Sequence, residues 1–270
     1  FCGCIAVNMG GIRDANRVCC HNPPLPAYNE RIKTNASKGC CPSMNVSRDH
    51  TPVPWDAIDT VLLDMDGTLL DLNYDNQIFS HLLPNAFAKH HELTLAAASQ
   101  QLDDHMAKVS GTLDFYRLDY WRDLTGLDIL ALHEQAANLI CFLPSAEGFL
   151  RTLSEHGKRT LIVTNADRQS FAIKDRVLRL SPLVNHVISS HDLGIPKEDN
   201  AFWVWLTEQY DLNPSTTLFV DDTPRVLRAA ETFGIAHTLA VAQPDQQRPP
   251  RDMQGRPSFD HYAQLIAELA

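Results

Sequence analysis

Apolar and polar positions divide the chain into stretches of different pattern. Residues 1–43 show neither the two-residue alternation of a half-buried strand nor the three-to-four spacing of an amphipathic helix. Further on, short apolar runs recur as TVLLDMDGTLL (60–70), RTLIVTNA (159–166), VNHVISS (184–190), TTLFVDD (216–222) and AHTLAV (236–241). Apolar runs that turn polar at a Gly, Asn or Asp predict strands buried on both faces, as in a parallel sheet. Between them stand FLRTLSEHG, RQSFAIKDRVLRL, EDNAFWVWLTEQY and TPRVLRAAETFG, whose apolar residues lie three and four apart. Strand alternating with helix predicts an α/β, doubly wound parallel-sheet (Rossmann-like) core.

Residues 73–143 hold no strand candidate. NQIFSHLLPNAFAKHH, LAAASQQLDDHMAKV, FYRLDYWRDLTG and ILALHEQAANLI are instead amphipathic at helical spacing. Such an insertion is too long for an ordinary loop. It predicts an inserted α-helical cap domain over the carboxyl edge of the sheet, where open α/β sheets bind their ligands. The expected core is then 44–72 together with 144–270.

Composition changes the picture most at the amino end. Six of seven cysteines lie within the first 41 residues, and residues 1–43 carry five Lys/Arg against two Asp/Glu, a charge of +3. The remainder carries 18 basic and 31 acidic residues, or −13. This segment, with its turn-rich HNPPLP, is expected to be disordered and outside the fold, and Met44 is a candidate start of the native chain. A metal knot of Cys2, Cys4 and the CysCys dipeptides lacks the CxxC spacing of zinc sites. At 44% hydrophobic and 21% charged, the whole suits a globular protein. No apolar run approaches the roughly 18–20 residues needed to span a bilayer, so a cytoplasmic protein without a membrane partner is expected. A net charge of −10 argues against a nucleic-acid partner.

The candidate chemistry sits at the predicted strand ends. Residues two apart on a strand share a face, so Asp64 and Asp66 are expected to project together toward the carboxyl edge. Asp221 and Asp222 end another strand, and four carboxylates at one edge suit a hard cation such as Mg²⁺. Thr164 and Asn165 offer a hydroxyl and an amide, Lys197 a positive charge, and the Gly67 and Thr68 amides a small anion nest. Phe115, Tyr116, Tyr120 and Trp121, with Asp119 among them, either receive a flat ring and its polar edge or pack the cap. Asn73 and Asp75 line the pocket or serve as turn residues. The histidines show no ligand spacing; His90 and His91 read as solvated surface, His191 as a strand-end residue without a clear partner, and Cys141 as a buried small hydrophobe.

In this order, DMDGT, VTN, PK and VDD resemble the four motifs of the haloacid-dehalogenase superfamily, over essentially all of residues 56–270. The resemblance implies that Asp64 attacks phosphorus to form an aspartyl-phosphate and that Asp66 serves as general acid, then base. It implies that Thr164 and Lys197 hold phosphate, that Asp222 binds Mg²⁺ beside Asp64 with Asp221 in support, and that Asp66 contributes its backbone carbonyl. VLLDMDGTLLDLNYDN, TLDFYRLDYW and GIPKEDNAFW look, more narrowly, like the bacterial GMP/IMP nucleotidase group. That likeness implies a Mg-dependent hydrolase of purine nucleoside 5′-monophosphates, with a small-molecule nucleotide as its partner. A phosphatase for small acids or sugars such as phosphoglycolate is the alternative within the fold. A dehalogenase has no need of the acid/base at Asp66, and a non-catalytic binding module predicts degenerate acids at 64, 66 or 222, all of which are intact.

Overall fold

The structure is a computed structural model and describes residues 52–270. The Cys-rich segment and the candidate start at Met44 lie outside the described residues. Six strands, β1 (Thr60–Leu63), β2 (Arg159–Thr164), β3 (His186–Ser189), β4 (Thr217–Asp221), β5 (His237–Val241) and β6 (Ser258–Phe259), form one sheet in the order β3-β2-β1-β4-β5-β6. Every neighbouring pair is parallel. The chain order reverses on either side of β1, which makes the carboxyl ends of β1, β2 and β4 the topological switch point where such sheets form a crevice.

The helices of the insertion are α1 (Asn73–Gln77), continued by a π-helical turn (Ile78–Leu82) into α2 (Leu83–His90), then α3 (Leu95–Val109), α4 (Leu118–Thr125) and α5 (Ile129–Gln135). The core helices are α6 (Ala146–Glu155), α7 (Arg168–Leu178), α8 (Asn200–Tyr210), α9 (Pro224–Phe233) and α10 (Tyr262–Leu269). Side chains alternate across β1 as a two-residue period requires. Val61 and Leu63 pack with Phe149 and Leu153 of α6 and Tyr262 and Leu265 of α10, whereas Leu62 packs with Phe202 and Trp203 of α8 and Val226 and Leu227 of α9. Helices on both faces explain why the strands read as unbroken apolar runs.

The insertion has a core of its own. Leu83 and Phe87 of α2, Ala98 and Leu102 of α3, Leu118 and Trp121 of α4 and Ile129 of α5 form one buried cluster. A second cluster, of Tyr74, Ile78, Ala136, Ile140 and Ile173, joins the foot of the insertion to α7. Helix starts follow ordinary capping chemistry: Thr94, Asp128, Asp167 and Asp199 each accept a hydrogen bond from the first turn of the following helix. No helix among the described residues is long and apolar enough to cross a membrane.

Four expectations change. β1 stops at Leu63, although the Asp64 amide still donates to the Val220 carbonyl at 2.9 Å. β6 and α10 add to the predicted elements: a two-residue strand in a polar, Pro-rich stretch has no detectable period, whereas Tyr262, Leu265, Ile266 and Leu269 of α10 do lie at helical spacing. Cys141 is half-buried rather than buried. His191 does have a partner, its Nε2 lying 3.1 Å from the Asn165 carbonyl.

Candidate active site

The ends of β1, β2 and β4 bring Asp64, Thr164, Asp221 and Asp222 to one cavity of about 630 Å³, roofed by the inserted helices. Oxygens of Asp64, Asp221 and Asp222 lie within 4.8 Å of one another, and all three residues are buried. Like charges so close repel unless a cation or a proton intervenes. Lys197 supplies one cation: its Nζ donates to Asp64 Oδ1 at 2.6 Å, to Asp221 Oδ2 at 2.8 Å and to the Val163 carbonyl at 3.1 Å. Arg251 donates to Asp222 Oδ2 at 2.8 Å.

Even so, burial pushes the Asp64 carboxyl up to about 7, with Lys197 pulling it down and Asp221 adding to the rise. Burial likewise raises Asp221 to about 6 against Lys197. It raises Asp222 to about 6, reinforced by Asp64 and opposed by Arg251. Burial works against the Lys197 ammonium, but Asp221 and Asp64 outweigh it and raise its pKa. Three buried carboxylates with more negative charge than their neighbours neutralise, all offering hard oxygen donors, fit a small divalent cation.

Asp66 stands apart from this group. It lies beyond the strand, bridged to Leu70, so the shared-face argument does not describe how it reaches the cavity; the turn does. Its Oδ1 accepts from Lys174 Nζ at 2.6 Å, and Lys174 also reaches Asp75 at 3.2 Å. Burial raises the Asp66 carboxyl to about 6, with Asp75 adding and Lys174 opposing. Lys174, on α7, is not among the residues the sequence motifs single out. The available signal was its position one helical turn from the buried Ser170 and Phe171, since a buried Lys needs an acidic partner.

Gly67 closes the turn with a φ of +76°, and a Cβ there would come within 2.6 Å of Asp222 Oδ2. Positive φ and close approach together require glycine. The expected amide nest does not form: the Gly67 amide donates to the Leu70 carbonyl at 2.9 Å and that of Thr68 to Met65 at 3.4 Å, so both are consumed by the turn. Asn165 lines the cavity, yet its Oδ1 accepts from the Lys197 amide at 3.0 Å and its Nδ2 donates to Glu198 at 2.9 Å. Its side chain therefore fixes the lysine loop. Thr164 Oγ1 accepts from the Ala166 amide at 3.1 Å and also lines the cavity.

The insertion divides the expected aromatic set. Phe115 and Tyr116 line the cavity with Phe79, Pro84, Met106 and Leu118. Trp121 is fully buried in the insertion's core, its indole N–H donating to the Phe115 carbonyl at 2.8 Å. Tyr120 and Asp119 do not reach the cavity. The Tyr120 hydroxyl meets His105 Nε2 at 2.6 Å, and Asp119 is an exposed partner of Arg122. Helical spacing puts 119 and 120 on a different side of α4 from Leu118. Asp75 lines the cavity, while the Asn73 amide donates to Asp71 Oδ1 at 3.0 Å in a local turn. His133 and Arg225 also line the cavity and carried no sequence signal beyond helical pattern. Arg225 joins core to insertion, donating to Glu198 and to Ser110, each at 2.9 Å.

The sequence matches the haloacid dehalogenase-like hydrolase family over residues 58–234. It is 36% identical over 220 residues to the GMP/IMP nucleotidase YrfG of Escherichia coli (strain K12), covering 82% of this chain and 99% of that protein. Among solved structures, a HAD phosphatase from Thermococcus onnurineus superimposes with a TM-score of 0.66 at 18% identity, over 79% of this chain and 98% of its own. A predicted phosphoglycolate phosphatase from Haemophilus somnus 129pt gives 0.59 at 17% identity, over 78% and 97%. The structural neighbours share the fold, and with the family match and the sequence relative the conclusion is direct: this chain belongs to the haloacid dehalogenase-like hydrolase family.

Proposed function

We propose that the chain is a Mg²⁺-dependent phosphomonoesterase that hydrolyses purine nucleoside 5′-monophosphates, GMP and IMP, through an aspartyl-phosphate on Asp64. The observation that carries this reading is the cluster of Asp64, Asp221 and Asp222 around Lys197 at the floor of a cavity whose roof sets Phe79, Phe115 and Tyr116 beside the polar Asn76, Ser80 and Asp103. The floor suits a phosphate and the roof suits a flat organic group. The nucleotide identity rests on the similarity to the Escherichia coli enzyme.

In this reading Asp64 attacks phosphorus in line with the ester oxygen, the P–O bond to the sugar breaks, and Asp66 gives its proton to the leaving oxygen. Asp66 then takes a proton from the water that hydrolyses the aspartyl-phosphate, releasing phosphate. A carboxyl raised to about 6 passes a proton in either direction near neutrality. Lys197 and Thr164 hold the phosphate, and Asn165 keeps Lys197 in place. Asp64, Asp221, Asp222 and the Asp66 backbone carbonyl would hold Mg²⁺, which when bound supplies positive charge to the phosphate oxygens. The inserted helices, 73–143, act as a cap over a core of 44–72 and 144–270, excluding water from the reacting atoms. A cytoplasmic location belongs to the same reading.

Steady-state release of phosphate from GMP, IMP, AMP and phosphoglycolate tests the substrate. GMP and IMP are expected to give the highest kcat/KM, and faster turnover of phosphoglycolate would replace the nucleotide reading with the small-acid alternative. Asp64→Asn is expected to lower kcat by more than about 10³-fold with an unchanged circular dichroism spectrum, because an amide cannot act as the nucleophile.

A further inference from the structure

One charge on the cavity wall has no counterpart in the protein. Asp103 stands on α3, is exposed and lines the cavity. Every other charged side chain on that wall is in an ion pair of 3.2 Å or less, with Lys197, Lys174, Arg251 or Glu198 as one member. Asp103 has neither an ion pair nor a hydrogen bond among the described residues. The wall's lysine and arginines, Lys197, Arg225 and Arg251, all come from the core, so the insertion brings no lysine or arginine to the cavity.

Helical spacing explains why the residue faces inward. Ser99, Asp103 and Met106 line the cavity at four- and three-residue steps, one stripe of α3. Ala98 and Leu102, on the neighbouring stripe, pack into the insertion's own core. Ser110, at the end of α3, continues the cavity stripe and accepts from Arg225 of α9 at 2.9 Å. Asp103 lies about two turns, or ~10 Å, back along the helix from that contact.

The chemistry of the wall narrows what can meet Asp103. Phe79, Met106, Phe115 and Tyr116 offer apolar surface to a flat ring in the same cavity. An ionised carboxylate only accepts hydrogen bonds, so the part of a ligand that meets it must donate. A second anionic group would be repelled there, which disfavours a phosphorylated acid such as phosphoglycolate. Guanine presents its N1–H and 2-amino group side by side, two donors for the two oxygens of one carboxylate, and hypoxanthine keeps the N1–H. Adenine has a bare acceptor at N1 and sets two acceptors face to face.

We propose that the Asp103 carboxylate accepts from the N1–H of a 6-oxopurine, and from the 2-amino group of guanine, and so makes the enzyme select GMP and IMP over AMP. This rests on the nucleotidase reading and names the residue that reads the base.

The test is steady-state kinetics of wild type, Asp103→Ala and Asp103→Asn on GMP, IMP, AMP and ribose 5-phosphate, which carries no base. Wild type is expected to favour GMP over AMP by about 10- to 100-fold in kcat/KM. Asp103→Ala should lower kcat/KM for GMP and IMP about tenfold, with the loss confined to substrates that carry a base. Asp103→Asn, whose amide can donate to N1 of adenine and accept from its 6-amino group, should raise AMP relative to GMP. Variants that keep the wild-type GMP to AMP ratio would overturn the proposal and leave the nucleotidase reading standing. An equal loss on all four substrates would reveal a structural role and overturn it as well. If wild type turns over ribose 5-phosphate but no nucleotide, the nucleotidase reading itself has failed, and the proposal falls with it.

Discussion

At the scale of single residues, the cavity floor depends on what is absent as much as on what is present. Gly67 leaves room for the Asp222 carboxylate, and any side chain there would meet it at 2.6 Å while holding a positive φ. Gly67→Ala is therefore expected to displace Asp222 and raise the Mg²⁺ concentration for half-maximal activity at least tenfold. A variant with the wild-type Mg²⁺ dependence would contradict the proposed ligand set. Lys174 is a second such point. It is buried, and burial works against its charge, but Asp66 and Asp75 raise its pKa and keep it an ammonium. Lys174→Met leaves two carboxylates without their cation. Removing one partner of a buried ion pair costs about 3–5 kcal/mol, and the partial exposure of Asp66 and Asp75 reduces this to about 2 kcal/mol. Urea unfolding should show that loss, and kcat should fall about 10- to 100-fold because Asp66 loses its orientation. A kcat within twofold of wild type would remove Lys174 from the acid/base machinery.

At the scale of elements, one carboxylate joins the insertion to the core. Asp167 caps α7 through the Ser170 amide at 2.8 Å and accepts from the Leu118 amide, at the start of α4, also at 2.8 Å. α4 leads from the cavity-lining Phe115 and Tyr116, and α7 carries Lys174. Asp167→Ala loses a helix cap worth about 1 kcal/mol and, with it, the link between the two helices. The expected result is a KM for nucleotide raised more than kcat is lowered, with the circular dichroism spectrum retained. If kcat fell and KM stayed constant, the link would matter to the chemistry and not to closure over the substrate. The π-helical turn at Ile78–Leu82 is a comparable device: it places Phe79 and Ser80 on the cavity wall within an otherwise continuous helix.

At the scale of the whole molecule, the buried acids couple pH to stability and, under the proposed Mg²⁺ dependence, to the metal. Asp64, Asp221 and Asp222 have folded pKa values of about 6 to 7, above the ordinary 3.8. Groups so raised contribute stability that is fully present below 3.8 and lost as pH rises through 6 to 7. Without Mg²⁺ the protein is expected to lose stability from these groups between pH 5 and pH 7.5. Mg²⁺ bound at the proposed site would compete with those protons, so its stabilising effect should be larger at pH 7.5, reaching about 2.7 kcal/mol at a hundred times its Kd. Thermal melts with Mg²⁺ or chelator at both pH values measure this. An equal Mg²⁺ shift at pH 5 and 7.5 would be inconsistent with a site built from these carboxylates. Turnover should cease in chelator.

What the sequence determined by itself was strands β1 to β5 of the core sheet, the helical character of the insertion and the strand-end residues. These follow from local periodicity: apolar runs at β1, β2 and β4 ending in Asp64, Thr164 and Asp221 are short-range patterns that any folded context must satisfy. The tertiary structure alone decided which side chains meet. Lys174 finds Asp66 across 108 residues, and His133 finds Tyr74 across 59, because helices pack on the sheet and on one another in ways no local period encodes. For the same reason Asp119 and Tyr120, promising beside their aromatic neighbours, turn away from the cavity that Phe115 and Tyr116 enter. Helical spacing limits which residues share a face, but the packing of α4 against the rest of the insertion chooses which face looks inward.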